Sequence, residues 1–150
     1  MSAITWEYKH FNELDTHELY SILKIRNEVF IVEQNCAYLD EDDKDLDAWH
    51  LFALKNELII AYARILAPGV AFAEASIGRV LTIKNYRKNG AGRTLMLHAI
   101  EKTLAQYQVN KIKIGAQVYL QDFYTSLGFT ATSAQYMEDG IPHMEMLLTK

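Results

Sequence analysis

The stretch that decides the fold is Arg87-Lys88-Asn89-Gly90-Ala91-Gly92, followed directly by Arg93 and Thr94. It joins a strand-like run, Ser76 to Ile83, to a helix-like run, Ala91 to Tyr107. The first turn of a helix carries backbone N–H groups without partners inside the helix, and the helix dipole adds partial positive charge there. A strand that ends in a short basic, glycine-containing loop therefore aims several donors at one point, where a phosphate or pyrophosphate fits. Gly90 and Gly92 remove side chains that would hold such a ligand off the backbone. Arg87, Lys88 and Arg93 place positive charge around the same spot, so a diphosphate-bearing ligand is expected.

Spacing separates the phosphate loops that could occupy this position. The Walker pattern, Gly, four residues, Gly, Lys and then Ser or Thr, does not occur in the chain. The dinucleotide fingerprint needs a small residue three positions after its second glycine, where this chain has Leu95, and no acidic residue closes a strand about 20 positions further on. The remaining pattern, Arg-x-x-Gly-x-Gly, resembles the coenzyme A pyrophosphate loop of the GNAT (Gcn5-related) N-acetyltransferase superfamily.

A second segment downstream strengthens the resemblance. Lys111 to Ala116 alternates like a strand, Tyr119 to Ser126 suits a short helix, and Leu127-Gly128-Phe129 turns into another strand. GNAT enzymes commonly read Asn-x-x-Ala-x-x-Phe-Tyr followed by a Gly-Phe turn in this region. Gln117 and Leu120 stand here at the Asn and Ala positions, while Phe123, Tyr124, Gly128 and Phe129 match. Within the superfamily the chain resembles the ElaA-type acetyltransferases. The strings that carry this are Val32-Glu33-Gln34-Asn35-Cys36, Ala61-Tyr62-Ala63-Arg64, Ile77-Gly78-Arg79-Val80, Gly115-Ala116-Gln117 and Asp139-Gly140-Ile141-Pro142-His143. The resemblance implies an acetyl-CoA-dependent enzyme and leaves the acceptor open.

Working outward, the remaining sequence is consistent with one GNAT domain over residues 1–150. A chain of 150 residues, 50% hydrophobic and 23% charged, can bury a real core. Thr5 to Phe11 reads as a first strand, and Asp15-Thr16-His17-Glu18 as a capping box opening a helix. Leu19, Ile22, Leu23, Arg26, Val29 and Phe30 recur at helical spacing and predict one buried face. His50 to Lys55 and Leu58 to Leu66 predict a hairpin around Asn56-Glu57, with Ser76 to Ile83 as a third antiparallel partner. Two final strands meet at Glu138-Asp139-Gly140. The expected fold is α/β of the α+β kind: a mixed, mostly antiparallel central sheet of about six or seven strands flanked by helices.

The resemblance also implies a layout for the chemistry. The strand Arg79 to Ile83 and the strand Lys111 to Ala116 splay apart, and the pantetheine arm pairs with exposed backbone near Leu81, Thr82 and Ile83 as an added strand would. Gln117 and Phe123 are expected beside the coenzyme, and Tyr124 corresponds to the tyrosine that GNAT enzymes place near the sulfur. The departing thiolate has a basicity near that of free cysteine, roughly 8.5, so a hydroxyl donor eases its departure. An alkylamine acceptor, with a pKa of about 10, must lose a proton before attack. Glu33, His50 and His143 are the candidate bases, with a water relay as the competitor. Each has a structural reading too: Glu33 can pair with an arginine such as Arg26, and the histidines can be packing residues.

Other features exclude alternatives. Cys36 shows nothing nearby in sequence that lowers its pKa, so direct attack is expected rather than a thiol intermediate. The histidines lack zinc-site spacing, and the acidic run Asp40 to Asp47 lacks the glycine and twelfth-position ligand of a calcium loop, so no metal is expected. That run reads as a solvated loop, or as a field that draws a cationic amine. Arg64 and Arg79, in strand runs, are expected to organise the acceptor cleft or pair with Glu33. A net charge of −4 suits a basic small molecule or lysine-bearing peptide better than nucleic acid. No stretch suits a membrane span or signal peptide, and one cysteine fits a reducing compartment, so a cytoplasmic protein is expected. A homodimer through the C-terminal strands or helices is compatible with the sequence. The alternative to an enzyme is a non-catalytic acyl-CoA sensor or interaction module.

Overall fold

Four strands in antiparallel sequence order build the first sheet of the protein, whose computed structural model describes residues 3–150. They are β1 (Thr5–His10), β2 (Trp49–Lys55), β3 (Leu58–Leu66) and β4 (Ser76–Thr82). Asn56 and Glu57 join β2 to β3 with φ of 52° and 66°. Positive φ at both central residues is the signature of a type I′ turn, whose twist matches that of the strands it connects. β3 is buried from Ile59 to Leu66, as a central strand covered on both faces must be.

β8 (Ile141–Thr149) is the centre of the second sheet. It pairs along its length with β5 (Lys111–Gln117) and on its other side with β6 (Thr130–Ala131) and β7 (Tyr136–Glu138). The eight strands among the described residues slightly exceed the expected six or seven; two of them, β6 and β7, are only two and three residues long. The two sheets meet at one parallel bridge, Ala75 with Ile112, where the Lys113 N–H donates to the Ala75 carbonyl at 2.9 Å. Beyond that isolated bridge β4 and β5 run on without a ladder between them, which leaves the expected splayed opening.

Helices cover both faces. On one, α2 (Ala91–Tyr107) lays Leu95, Met96, Ala99 and Ile100 against Leu51, Ala63, Ile77 and Ile114. The same cluster takes in Tyr124 of α3 (Gln121–Ser126) together with Leu127 and Phe129. On the other, α1 (Thr16–Arg26) opens on the expected capping box, with Asp15 accepting from the Glu18 N–H and Glu18 reaching back to the Asp15 N–H. Ile22, Ile25, Val29 and Phe30 then pack on Phe52, Tyr62 and Leu81. Each such side chain, fully buried, contributes about 1.5–3 kcal/mol.

One helical expectation is corrected. The 3.6-residue pattern through Phe30 predicted a continuous α-helix, but after Arg26 the chain widens into a π-helical segment over Asn27–Glu33. The wider turn keeps Val29 and Phe30 inside while Ile25 and Arg26 are also buried. It ends with Glu33 at the edge of the opening between the sheets, facing the loop that leads into α2.

Candidate active site

The loop before α2 has the geometry its residues dictate. Gly90 occupies the N-cap at φ 74°, a left-handed conformation that costs other residues about 1–2 kcal/mol. No side chain caps the helix, and the first intrahelical bond is Thr94 N–H to the Gly90 carbonyl at 3.0 Å, so the N–H groups of Ala91, Gly92 and Arg93 are free of helix partners. Gly92 lies beside Phe123: a Cβ there would stand 3.8 Å from the Phe123 ring, an ordinary contact, so only Gly90 has a conformational need for glycine. Asn89 and Lys88 are exposed, and Lys88 also sits at positive φ, 70°.

The cations are a correction. Arg87, Lys88 and Arg93 were all expected to be mobile charge around the loop. Instead Arg93 reaches across to α3, donating to the Ser126 hydroxyl at 2.9 Å. Arg87 donates through Nε to the Thr82 carbonyl at 3.0 Å and through Nη1 to Glu33 at 2.6 Å. Lys88 makes no ion pair among the described residues.

At the mouth of the splay, the Ile83 N–H donates to Ile60 of β3, and Leu81 faces Tyr62 in register. Strand alternation turns the polar backbone of Thr82 between them toward the opening, where its carbonyl accepts from Arg87. Arg79 marks a β-bulge in β4 at φ 50°; such bulges re-aim a strand. Gln117 ends β5, half-buried, opposite His143. Tyr124 is 6% exposed, edge-on to both Phe123 and Phe129. Burial, with a smaller contribution from Tyr119, pushes its hydroxyl up to about 12, and no hydrogen bond to a described residue occupies it.

The segments expected on the acceptor side hold the largest departure from expectation. The acidic run is not a solvated loop. Arg26, fully buried, donates through Nε to Asp40 at 2.8 Å and through Nη1 to Asp45 at 2.7 Å, while its Nη2 reaches the Asp40 carbonyl and the second Asp45 oxygen. Arg64 holds Asp42 through two bonds and Asp45 through a third. Arg79 holds Asp40 at 2.8 Å, and its Nη2 lies 3.4 Å from Asp42. None of the three arginines pairs with Glu33, which Arg87 takes instead.

Burial alone would raise the Asp42 and Asp45 pKa values, but the arginines outweigh it: Asp42 falls to about 2 and Asp45 is also lowered. Three guanidinium charges thus neutralise the carboxylates of this strap, which weakens it as a lure for amines. Of the acids in the run, only Glu41, Asp43 and Asp47 are exposed. The sequence carried a signal for this network, since buried arginines demand acids and the apolar runs contain Arg26, Arg64 and Arg79.

The three candidate bases are placed very differently. His50 is 1% exposed with both nitrogens occupied. Its Nε2 can only donate to the Asp45 carbonyl at 3.1 Å, so Nδ1 must accept from the Tyr62 hydroxyl at 2.6 Å. Burial lowers its pKa and keeps it neutral, with no lone pair left for a substrate. His143 donates from Nδ1 to the Ile141 carbonyl at 2.7 Å, stacks on Tyr136, and points Nε2 toward Glu138 at 3.4 Å. Tyr136 was missed by the sequence reading: its hydroxyl lies 3.1 Å from where a Cβ on Gly115 would be, so the glycine makes room for it on β5. Cys36 lies half-buried with Sγ 3.5 Å from the Gln34 and Asp139 carbonyls, which joins the segment after the π turn to the β7–β8 turn. Among the described residues, no group of three His, Cys, Asp or Glu side chains is arranged to hold a metal ion.

Two sheets that part beside an uncapped helix N-terminus give the fold of the GNAT acyltransferases. Residues 23–150 match the acetyltransferase (GNAT) domain, and the chain belongs to that family. It is 40% identical to protein ElaA of Escherichia coli over 95% of each chain. It is also 43% identical to a UPF0039 protein of Schizosaccharomyces pombe over 99% of each. The crystal structure of E. coli ElaA superposes with a TM-score of 0.91 at 38% identity, covering 97% of this chain and 99% of that one. An acyl-CoA N-acyltransferase from Pseudomonas aeruginosa superposes at 0.93, with 36% identity over 98% of this chain and all of the other. The GNAT fold implies use of an acyl-CoA.

Proposed function

We propose that the protein moves an acetyl group from acetyl-CoA to a primary amine by direct attack in a ternary complex. The observation that carries this is the loss of pairing between β4 and β5 beyond the Ala75–Ile112 bridge, together with the free N–H groups that open α2. The diphosphate of the coenzyme fits the N–H groups of Ala91, Gly92 and Arg93, with Lys88 as free countercharge and Asn89 and Thr94 at the rim. The backbone of Thr82, between Leu81 and Ile83, faces the pantetheine arm, and a β4 N–H can stabilise charge on the thioester oxygen. Gln117, at the end of β5, and Phe123, beside Gly92, are the further coenzyme contacts in this reading.

Tyr124 serves the leaving group. With its pKa near 12 it stays protonated at neutral pH. Full proton transfer to a thiolate of pKa roughly 8.5 would run uphill by about 5 kcal/mol, so its contribution is a hydrogen bond to the developing negative charge. The proton of the amine goes to Glu33, to His143 or through water in this reading; His50 is disfavoured, since both of its ring nitrogens already have hydrogen-bond partners. The acceptor is a small molecule or a lysine-bearing peptide. The reading includes a single domain working in the cytoplasm, which the lone cysteine supports. Among the described residues no helix is long and apolar enough to cross a membrane.

The test is calorimetric titration with acetyl-CoA paired with thiol release over a panel of primary amines and lysine peptides. Saturable binding with amine-dependent release, lost in Tyr124→Phe while coenzyme binding persists, is the expected result. Absence of binding would refute the reading of the loop. Binding without release from any amine would favour the sensor.

A further inference from the structure

The contact between Arg87 and Glu33 ties three parts of the site together. Through Nε, Arg87 holds the Thr82 carbonyl at the edge of the opening, and through Nη1 it holds Glu33 at the end of the π turn. Arg87 itself begins the loop that leads to the free N–H groups of α2. Glu33 stands on the wall of a groove of about 270 Å³ between the π turn and the end of β4; its apolar side is Ile25, Val29, Leu58 and Ile83, and its charged residues are the acids Glu28 and Glu33 and one cation, Lys84. The pair is only partly sheltered, with side chains 36% and 39% exposed. Ion pairs of that exposure are worth little and exchange readily. A diphosphate offers a guanidinium more charge and a bidentate geometry.

We propose that Arg87 has two partners in turn: Glu33 in the coenzyme-free protein, and the diphosphate of the coenzyme once it binds. Binding then releases the Glu33 carboxylate onto the groove wall, where it suits the ammonium of an acceptor with an apolar body. The inference rests on the coenzyme reading above. Glu33 is thereby a brake on coenzyme affinity. Linkage makes the effect reciprocal: a cation that occupies Glu33 frees Arg87 and strengthens coenzyme binding, so donor and acceptor sites are coupled through one ion pair.

The test is calorimetric titration of coenzyme A into the wild-type protein, Glu33→Gln, Arg87→Ala and the double variant. Both positions are surface sites, and a thermal melt of each variant verifies folding. Glu33→Gln is expected to tighten binding about two- to fivefold, because the competing partner is gone. Arg87→Ala is expected to weaken it. Removing a carboxylate also relieves plain repulsion with the diphosphate, and that part survives without Arg87. The exchange therefore requires that Glu33→Gln gain more affinity with Arg87 present than in the Arg87→Ala background. An equal or larger gain in that background, or no gain from Glu33→Gln alone, would overturn the proposal with the coenzyme reading intact. Absence of binding by the wild-type protein would overturn the coenzyme reading and this inference with it.

Discussion

Arg26→Met is the perturbation that probes the buried arginine–aspartate network most directly. Arg26 is fully buried, and all three of its guanidinium nitrogens are used, on Asp40, Asp45 and the Asp40 carbonyl. Met matches the aliphatic stem but leaves Asp40 to Arg79 and Asp45 to Arg64. Removing one partner of a buried pair costs about 3–5 kcal/mol, because the remaining charges stay desolvated. Against a typical total of about 5–15 kcal/mol this is roughly a fifth of the stability or more. At roughly 2–4 °C per kcal/mol for a chain of this size, the melting temperature should fall by about 6–20 °C. Thermal and urea unfolding followed by circular dichroism at pH 7.5 measures it. Arg26→Lys, which keeps the charge and loses the planar fork, should fall between. A loss under about 1 kcal/mol for Arg26→Met would refute the reasoning, since it would mean that the aspartates do not depend on this arginine.

Three further outcomes follow from single positions. His50 is held neutral, with its pKa lowered by burial, so the folded state binds fewer protons than the unfolded one. Stability should therefore decline as pH falls below the free imidazole value of about 6.5 and on through the lowered folded value, in urea melts between pH 8 and 5; His50→Gln should flatten that slope. Gly90→Ala forces a side chain into φ 74° where space is open, so it should cost about 1–2 kcal/mol in a denaturant titration and weaken coenzyme binding in calorimetry. Gly128→Ala meets both a φ of 104° and the Leu148 Cδ1 at 2.9 Å, so it should cost more than Gly90→Ala in the same melts.

Where the sequence reading succeeded, the signal lay within a few residues. The Asp15–Glu18 box, the Asn56-Glu57 turn and the start of α2 at Ala91 each involve neighbours along the chain, and each stands where expected. The π segment escaped because Val29 and Phe30 satisfy either helical pitch, and the choice of pitch accompanies the burial of Arg26. The acidic run misled because local composition cannot distinguish acids facing water from acids facing arginines.

By itself the sequence determined the order of helices and strands, the loop geometry before α2, and the Phe123-Tyr124 pair that points to the GNAT fold. The first two follow from hydrogen bonding and apolar periodicity over short separations, while the Phe123-Tyr124 pair points to that fold through its resemblance to the family's pattern. Only the tertiary structure decided which charges meet. Arg26 finds Asp40 across 14 residues, Arg79 finds it across 39, and Arg87 finds Glu33 across 54. Such pairings depend on how sheets and helices pack, because a charged group settles with whichever opposite charge the fold brings near it out of water.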